Sequence, residues 1–147
     1  MQDLSNAPAS TAASMSNCYD FKALIDAYKS NGGTVRADDL ALLFEAQGRG
    51  NFDSVAQRIV SRDIFSFEWQ AHRWVPMFQF NAHDLSVKHE VRRVVHELAA
   101  VLDNWTLAEW FTQPNVWLKD RRPVDMVDGH FSFVLDAARA DRFVAAG

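Results

Sequence analysis

The chain reads WFTQPNVWL over residues 110–118, and KDRRPVDMV follows directly over residues 119–127. This pattern predicts the end of one helix, a Pro-Asn turn, a short apolar step, a second proline and the start of a further helix. It contains no nucleophile in a catalytic context, no metal-ligand spacing and no phosphate-binding loop. We therefore interpret the segment as a packing and docking element.

The sequence on both sides of this segment has helical periodicity. Apolar residues recur at helical spacing over Glu90–Leu102, Trp105–Thr112 and Phe131–Phe143, and Pro123 is placed to open a short helix. The chain from residue 84 to residue 147 is therefore predicted to form an all-helical domain.

The first half of the chain predicts helices over residues 20–30, 37–47 and from 52 onward, the last with Val55, Ile59 and Val60 buried. The period then becomes two, which predicts a β-hairpin between Phe65 and Phe80. We expect Ala71-His72 at its turn, and Pro76 implies that the second strand is an edge there.

Three helices followed by a hairpin are typical of a winged helix-turn-helix domain. We therefore predict a mainly α protein with a disordered tail over residues 1–17, a winged-helix-like domain over 18–83 and the helical domain over 84–147. The predicted tail has neither the basic start nor the apolar run of a secretory signal. We expect a cytoplasmic protein without a membrane-spanning segment.

The composition gives no overall attraction to nucleic acid. The net charge of the 147 residues is −4, with seven basic and nine acidic residues up to residue 83 and eight and ten after it. Five Trp and 11 Phe can supply a core, but a small domain cannot hide every large aromatic side chain. Exposed aromatic residues usually mark sites for partner proteins.

The second and third helices nevertheless have the order of a DNA-reading unit, with the third helix in the major groove and the hairpin as the wing. The candidate DNA-binding residues are Asn51, Ser54, Gln57, Arg58, Arg62 and Arg73. The alternative is a small helical fold with a hairpin, whose arginines are merely solvated.

No pattern in the chain predicts catalysis, a metal or another cofactor. The single cysteine, Cys18, excludes an internal disulfide and a cysteine-based zinc site. His89 and His96 are seven residues apart, too far for chelation from one helix. No nucleophile, base and oxyanion site assemble, so we expect a protein that is not an enzyme.

The stretch from about Glu90 to Gly147, a little over a third of the chain, resembles the toxin-binding domain of Xre/MbcA/ParS-type antitoxins. The matching residues are Trp110, Pro114, Asn115, Leu118, Pro123, Met126, Val127, Arg139, Arg142, Phe143 and Gly147. The family often has a Gly where this chain has Lys119-Asp120-Arg121-Arg122, and its usual N-terminal half is a bundle-type helix-turn-helix.

The resemblance implies a domain that dimerises and blocks a toxin that consumes NAD, a protein of the RES type. The C-terminal end of such an antitoxin reaches the entrance of the toxin's active site. Arginines there suit a site that normally accepts the pyrophosphate of NAD. The partner-binding residues that we expect on this basis are Trp117, Arg121, Arg122, Arg139, Arg142 and Phe143.

We therefore expect an antitoxin-like protein that neutralises a NAD-consuming toxin and represses its own operon by binding promoter DNA. The expected partners are the cognate toxin, promoter DNA and a second copy of the chain. The alternative is a stand-alone DNA-binding regulator, or a phage or plasmid accessory protein, whose C-terminal domain only dimerises. A neighbouring gene for a NAD-consuming toxin would favour the first reading.

Overall fold

A computed structural model describes residues 20–147, so the predicted tail and Cys18 lie outside the described range. Within that range the chain is mainly helical, with seven α-helices and a three-stranded antiparallel sheet. The elements of the first half are α1 over residues 20–28, β1 (Thr34–Arg36), α2 (Ala37–Ala46), α3 (Phe52–Val60), β2 (Phe67–Trp69) and β3 (His72–Pro76). Those of the second half are α4 (His89–Leu98), α5 (Asn104–Thr112), α6 (Pro123–Met126) and α7 (Phe131–Ala146).

The predicted hairpin is confirmed, and it belongs to a sheet with the order β1-β3-β2. β3 is thus the middle strand of the sheet, but at Pro76 it is an edge, as predicted. Pro76 pairs with Thr34 of β1, beyond Trp74, where the pairing of β3 with β2 ends. Proline is tolerated there because a neighbouring strand is present on one side only.

The hairpin turn is one residue earlier than predicted. Trp69 pairs with His72, so Gln70 and Ala71 are the central residues, and their φ angles are 50° and 63°. Positive φ at both positions matches the twist that a two-residue hairpin requires, although glycine and asparagine usually occupy them.

Local signals in the sequence explain the starts of several helices. Asp103 accepts a hydrogen bond from the backbone N–H of Thr106 and caps α5, and Pro123 opens α6. Two predicted helix ends were wrong, because α4 stops at Leu98 and α7 continues to Ala146. Val60 was also predicted to be buried, but it is 81% exposed.

The larger hydrophobic core crosses the predicted boundary between residues 83 and 84. Leu24 and Tyr28 of α1 and Phe67 of β2 pack in one cluster with the apolar faces of α4, α5, α6 and α7. The buried Tyr28 hydroxyl donates to the carbonyl of Ala108 at 2.6 Å, and burial raises its pKa well above the usual tyrosine value. A second, smaller cluster joins α2, α3 and β3.

Candidate partner-binding surface

The Pro-Asn segment, residues 113–122, forms the loop between α5 and α6, and internal hydrogen bonds close it. The Asn115 side chain accepts a hydrogen bond from the backbone N–H of Trp117 at 2.9 Å and begins a 3-10 turn over Val116–Leu118. Its backbone N–H donates to the carbonyl of Arg121 at 3.0 Å, and its carbonyl accepts from Asp120 at 2.9 Å. These bonds fix the direction in which Trp117 leaves the loop.

Asp141 of α7 holds this loop through three side-chain hydrogen bonds. Its carboxylate accepts from the indole N–H of Trp110 and of Trp117, each at 2.8 Å, and from the side-chain amide of Asn115 at 3.0 Å. Asp141 was not predicted from the sequence, because its three donors lie 24 to 31 residues away along the chain. The bonds orient Trp117 while its ring stays exposed.

Trp117 belongs to an exposed apolar surface that continues onto α7. Trp117 is 55% exposed, and Phe133 is 61% exposed. Val144 lies eleven residues after Phe133, on the same side of the helix, and is exposed as well. We call the set Val116, Trp117, Phe133 and Val144 the aromatic face.

A groove of about 200 Å³ lies between the Val116–Leu118 turn and the start of α7. Trp117 and Phe133 are among its lining residues, and so are the buried side chains of Leu118 and Met126. The remaining lining residues are Lys119, Arg121 and His130. The groove therefore combines apolar surface with the cationic side chains of Lys119 and Arg121.

The structure places Arg121 and Arg122 in different environments, although they are neighbours in sequence. Arg122 forms a two-pronged ion pair with Asp125 and donates to the carbonyl of Ala27 and the side chain of Asn31, all at 2.9 to 3.0 Å. Its bond to Asp125 raises the pKa of Arg122 and lowers that of Asp125. Arg122 thus links α6 to the end of α1.

The other predicted partner-binding residues lie on α7. Arg142 is 3.2 Å and Arg139 is 4.0 Å from the Glu97 carboxylate of α4, so both are joined to the neighbouring helix. Phe143 is exposed, but it lies about 80° around α7 from Phe133, at 100° per residue. The structure thus brings together Trp117 and Arg121, and it separates them from Arg139, Arg142 and Phe143.

Several predicted DNA-binding residues have partners within the fold. Asn51 and Ser54 form a reciprocal capping box at the start of α3. Arg73 donates to the Ser66 hydroxyl at 2.8 Å and pairs with Glu68. Gln57 and Arg62 are exposed, and Arg58 is half-buried.

The α3 surface also carries exposed apolar side chains, which a helix that recognises DNA bases does not require. Phe52 and Val60 are exposed and line a hollow of about 360 Å³ between α3 and the hairpin, together with His72 and Arg73. The exposed surface of α3 therefore has fewer polar residues available for DNA than the sequence indicated.

In residues 20–147 no group of three or more His, Cys, Asp and Glu side chains is arranged to hold a metal ion. No helix in the same range has the length and apolar character needed to cross a membrane. The chain matches no protein-family model, no curated protein and no solved structure.

Proposed function

We propose that this chain is an antitoxin-like protein whose aromatic face binds and neutralises a NAD-consuming toxin of the RES type. The observation that carries the proposal is the exposed Trp117 ring, which Asp141 and Asn115 hold in one orientation. A pre-oriented aromatic side chain loses little conformational freedom on binding, and tryptophan is among the commonest anchors of protein interfaces. The choice of a NAD-consuming toxin rests on the resemblance of the Pro-Asn segment.

The proposed mechanism is steric blockade. The toxin would pack against the aromatic face, and α7, which ends beside it, would cover the entrance to the toxin's active site. Trp117 and Arg121 are the contacts that we retain from the sequence analysis. Arg122 is not retained because its donors are used inside the fold.

We also propose that the first half is a winged-helix-like unit. Its element order, helix-strand-helix-helix-strand-strand, and its sheet order β1-β3-β2 support this reading. In such a unit α3 would enter the major groove of promoter DNA and the hairpin would be the wing. A second copy of the chain, as the resemblance implies, would give the two half-sites.

A cellular rescue assay tests the antitoxin proposal. Cells that express a RES-type toxin should lose NAD and stop growing, and the wild-type chain should restore both. The variant Trp117→Ala/Phe133→Ala should fail to do so. Phe52→Ala on α3 is the matched control, because it removes an aromatic ring of similar exposure, 52%, and should rescue fully.

Two outcomes would contradict this proposal. If the wild-type chain protects no cell against any RES-type toxin, including one encoded beside it, the assignment of the partner is wrong. If Trp117→Ala/Phe133→Ala is folded by circular dichroism and still restores NAD fully, the aromatic face is not the binding surface.

The stand-alone DNA-binding regulator remains the second candidate, because Gln57 and Arg62 are exposed and neither side chain has a hydrogen-bond or ion-pair partner within residues 20–147. The test is a gel-shift titration of Arg58→Ala/Arg62→Ala at several salt concentrations. Loss of two phosphate contacts should weaken binding and lower the salt slope by up to about two units. An unchanged affinity with an intact fold would reject α3 as the reading helix.

A further inference from the structure

The groove beside Trp117 is sized for one side chain rather than for a small-molecule ligand. Its volume is about 200 Å³, whereas small-molecule sites usually span roughly 300 to 1,000 Å³. Leu118 and Met126 are buried among its lining residues, and the half-exposed rings of Trp117 and Phe133 complete the apolar surface. An apolar side chain of a partner protein would fill such a groove as an anchor.

The cations beside the groove have no internal partners. Neither Lys119 nor Arg121 forms an ion pair or a side-chain hydrogen bond within residues 20–147, and no carboxylate lines the groove. The groove therefore presents positive charge that the chain itself does not neutralise.

Three nearby carboxylates illustrate this imbalance. Asp125 pairs with Arg122, Asp128 lies 3.1 Å from Lys88, and Asp141 accepts the bonds of the two indoles and Asn115. Asp120 lies between the two cations in sequence, but it does not line the groove and pairs with neither. A partner would have to supply the missing negative charge.

The backbone at the rim of the groove has an unfavourable conformation at Lys119. Lys119 and Asp120 have φ angles of 56° and 64°, the left-handed region that favours glycine. The hydrogen bonds of Asn115 to Asp120 and Arg121 close the loop around them. Glycine would adopt this conformation more easily, so a lysine there costs stability, and a role for its side chain would explain that cost.

We propose that this groove binds a segment of the partner protein in which a large apolar side chain is flanked by carboxylates. The proposal rests on the proposed function, because it specifies the chemistry of the partner that the aromatic face binds. The apolar side chain would lie between Trp117 and Phe133. The flanking carboxylates would pair with Lys119 and Arg121, which adds electrostatic attraction and selects against basic segments.

The direct test uses peptides and the full chain, so that it does not depend on the identity of the toxin. The probes are a peptide with phenylalanine between pairs of glutamates, the same peptide with lysines in place of the glutamates, and the same peptide with alanine in place of phenylalanine. Binding is followed by NMR at the indole N–H signal of Trp117. The acidic phenylalanine peptide should shift this signal at concentrations at least about tenfold lower than either control peptide.

Matched variants then separate the charges from the remainder of the surface. Lys119→Gln/Arg121→Gln should weaken binding of the acidic peptide about tenfold and reduce its salt dependence. Lys22→Gln/Arg49→Gln removes one lysine and one arginine charge from exposed residues that also have no ion pair within residues 20–147, and it should leave binding unchanged. Sodium phosphate alone should not shift the Trp117 signal, and a shift of equal size would mean that the groove binds free anions instead.

The variant Lys119→Gly distinguishes a binding role from a structural one. It should keep or raise the free energy of unfolding, since glycine accepts the positive φ, and at the same time weaken peptide binding. The proposal is overturned if the three peptides bind alike, or if Lys119→Gln/Arg121→Gln binds the acidic peptide as well as wild type does. If the peptide results are negative but the wild-type chain rescues cells, the proposed function stands and only the chemistry of the groove is wrong. If rescue fails, the proposed function is rejected whether or not the peptides bind.

Discussion

The α3–hairpin surface and the aromatic face differ in how the fold uses their polar side chains. On the first, Asn51 and Ser54 cap the helix and Arg73 pairs with Glu68, while on the second Arg121 has no partner in residues 20–147. Internal hydrogen bonds at the aromatic face serve a different purpose, because those of Asp141 orient an exposed ring. A polar side chain is therefore available to a partner only where the fold does not already use its hydrogen-bonding groups. A sequence motif does not show which side chains are used in this way.

The largest effect is expected from the contrast between Arg122 and Arg121. Arg122→Ala removes the ion pair with Asp125 and the bonds to Ala27 and Asn31, and should lower the free energy of unfolding by about 2 kcal/mol. Arg121→Ala should change it by less than about 0.5 kcal/mol. Urea unfolding of both variants measures the difference. Equal losses of unfolding free energy in the two variants would mean that Arg122 is no more important to the fold than Arg121.

Next comes the contribution of Asp141 to the aromatic face. Asp141→Ala leaves the Trp110 indole and the Asn115 amide without their acceptor and should cost about 1.5 kcal/mol. The Trp117 ring should also become more mobile, which its fluorescence anisotropy would report in a variant without the other tryptophans.

Asp136→Ala is the matched control, since Asp136 is exposed on α7 and makes no side-chain hydrogen bond in the described range. Its free energy of unfolding should stay within about 0.5 kcal/mol of wild type. If Asp141→Ala is as stable as this control, the indole bonds do not position the aromatic face.

A smaller effect is expected at the start of α3. Asn51→Ala removes the reciprocal cap with Ser54 and should cost about 1 kcal/mol, whereas Asn51→Asp keeps an accepting oxygen and most of the stability. Gln57→Ala, on the exposed side of the same helix, should be close to neutral. A loss of DNA affinity in Asn51→Ala without a loss of stability would instead favour a reading role for this residue.

The smallest effect concerns pH and the pair of Asp125 with Arg122. The bond from Arg122 lowers the pKa of Asp125 below its unfolded value, so the pair stabilises the fold above that unfolded value. This stabilisation is lost as the pH falls through the lowered pKa. The urea stabilities of wild type and Asp125→Asn should thus differ at neutral pH, and the difference should shrink as the pH falls through the lowered pKa of Asp125. A constant difference at all pH values would show that the charge of Asp125 is not involved.

Much of the fold could be predicted because its signals are local. Asp103, Pro123 and the alternation of Phe65, Phe67 and Trp69 act within a few residues, and they marked α5, α6 and the hairpin. β1 was missed because three half-buried or exposed residues between two helices give no period. The turn was misplaced by one residue because Gln70 and Ala71 are unusual at positive φ.

The candidate site was harder to predict because its determinants are distant in sequence. Trp117 was predicted from the resemblance and from the excess of aromatic residues, but its partner Asp141 lies 24 residues away. Arg121 and Arg122 have the same chemistry and adjacent positions, so only the placement of Ala27 and Asn31 beside one of them distinguishes the two. Pairwise distances of this kind are not encoded in any local pattern.

The core that crosses the middle of the chain also bears on how such a protein can evolve. Leu24, Tyr28 and Phe67 come from the first half and are covered by helices of the second. A recombination event that joined the second half to an unrelated first half would leave this apolar surface without its matching side chains. The two halves should therefore be inherited together, and new specificity should arise by point substitution around the groove rather than by exchange of modules.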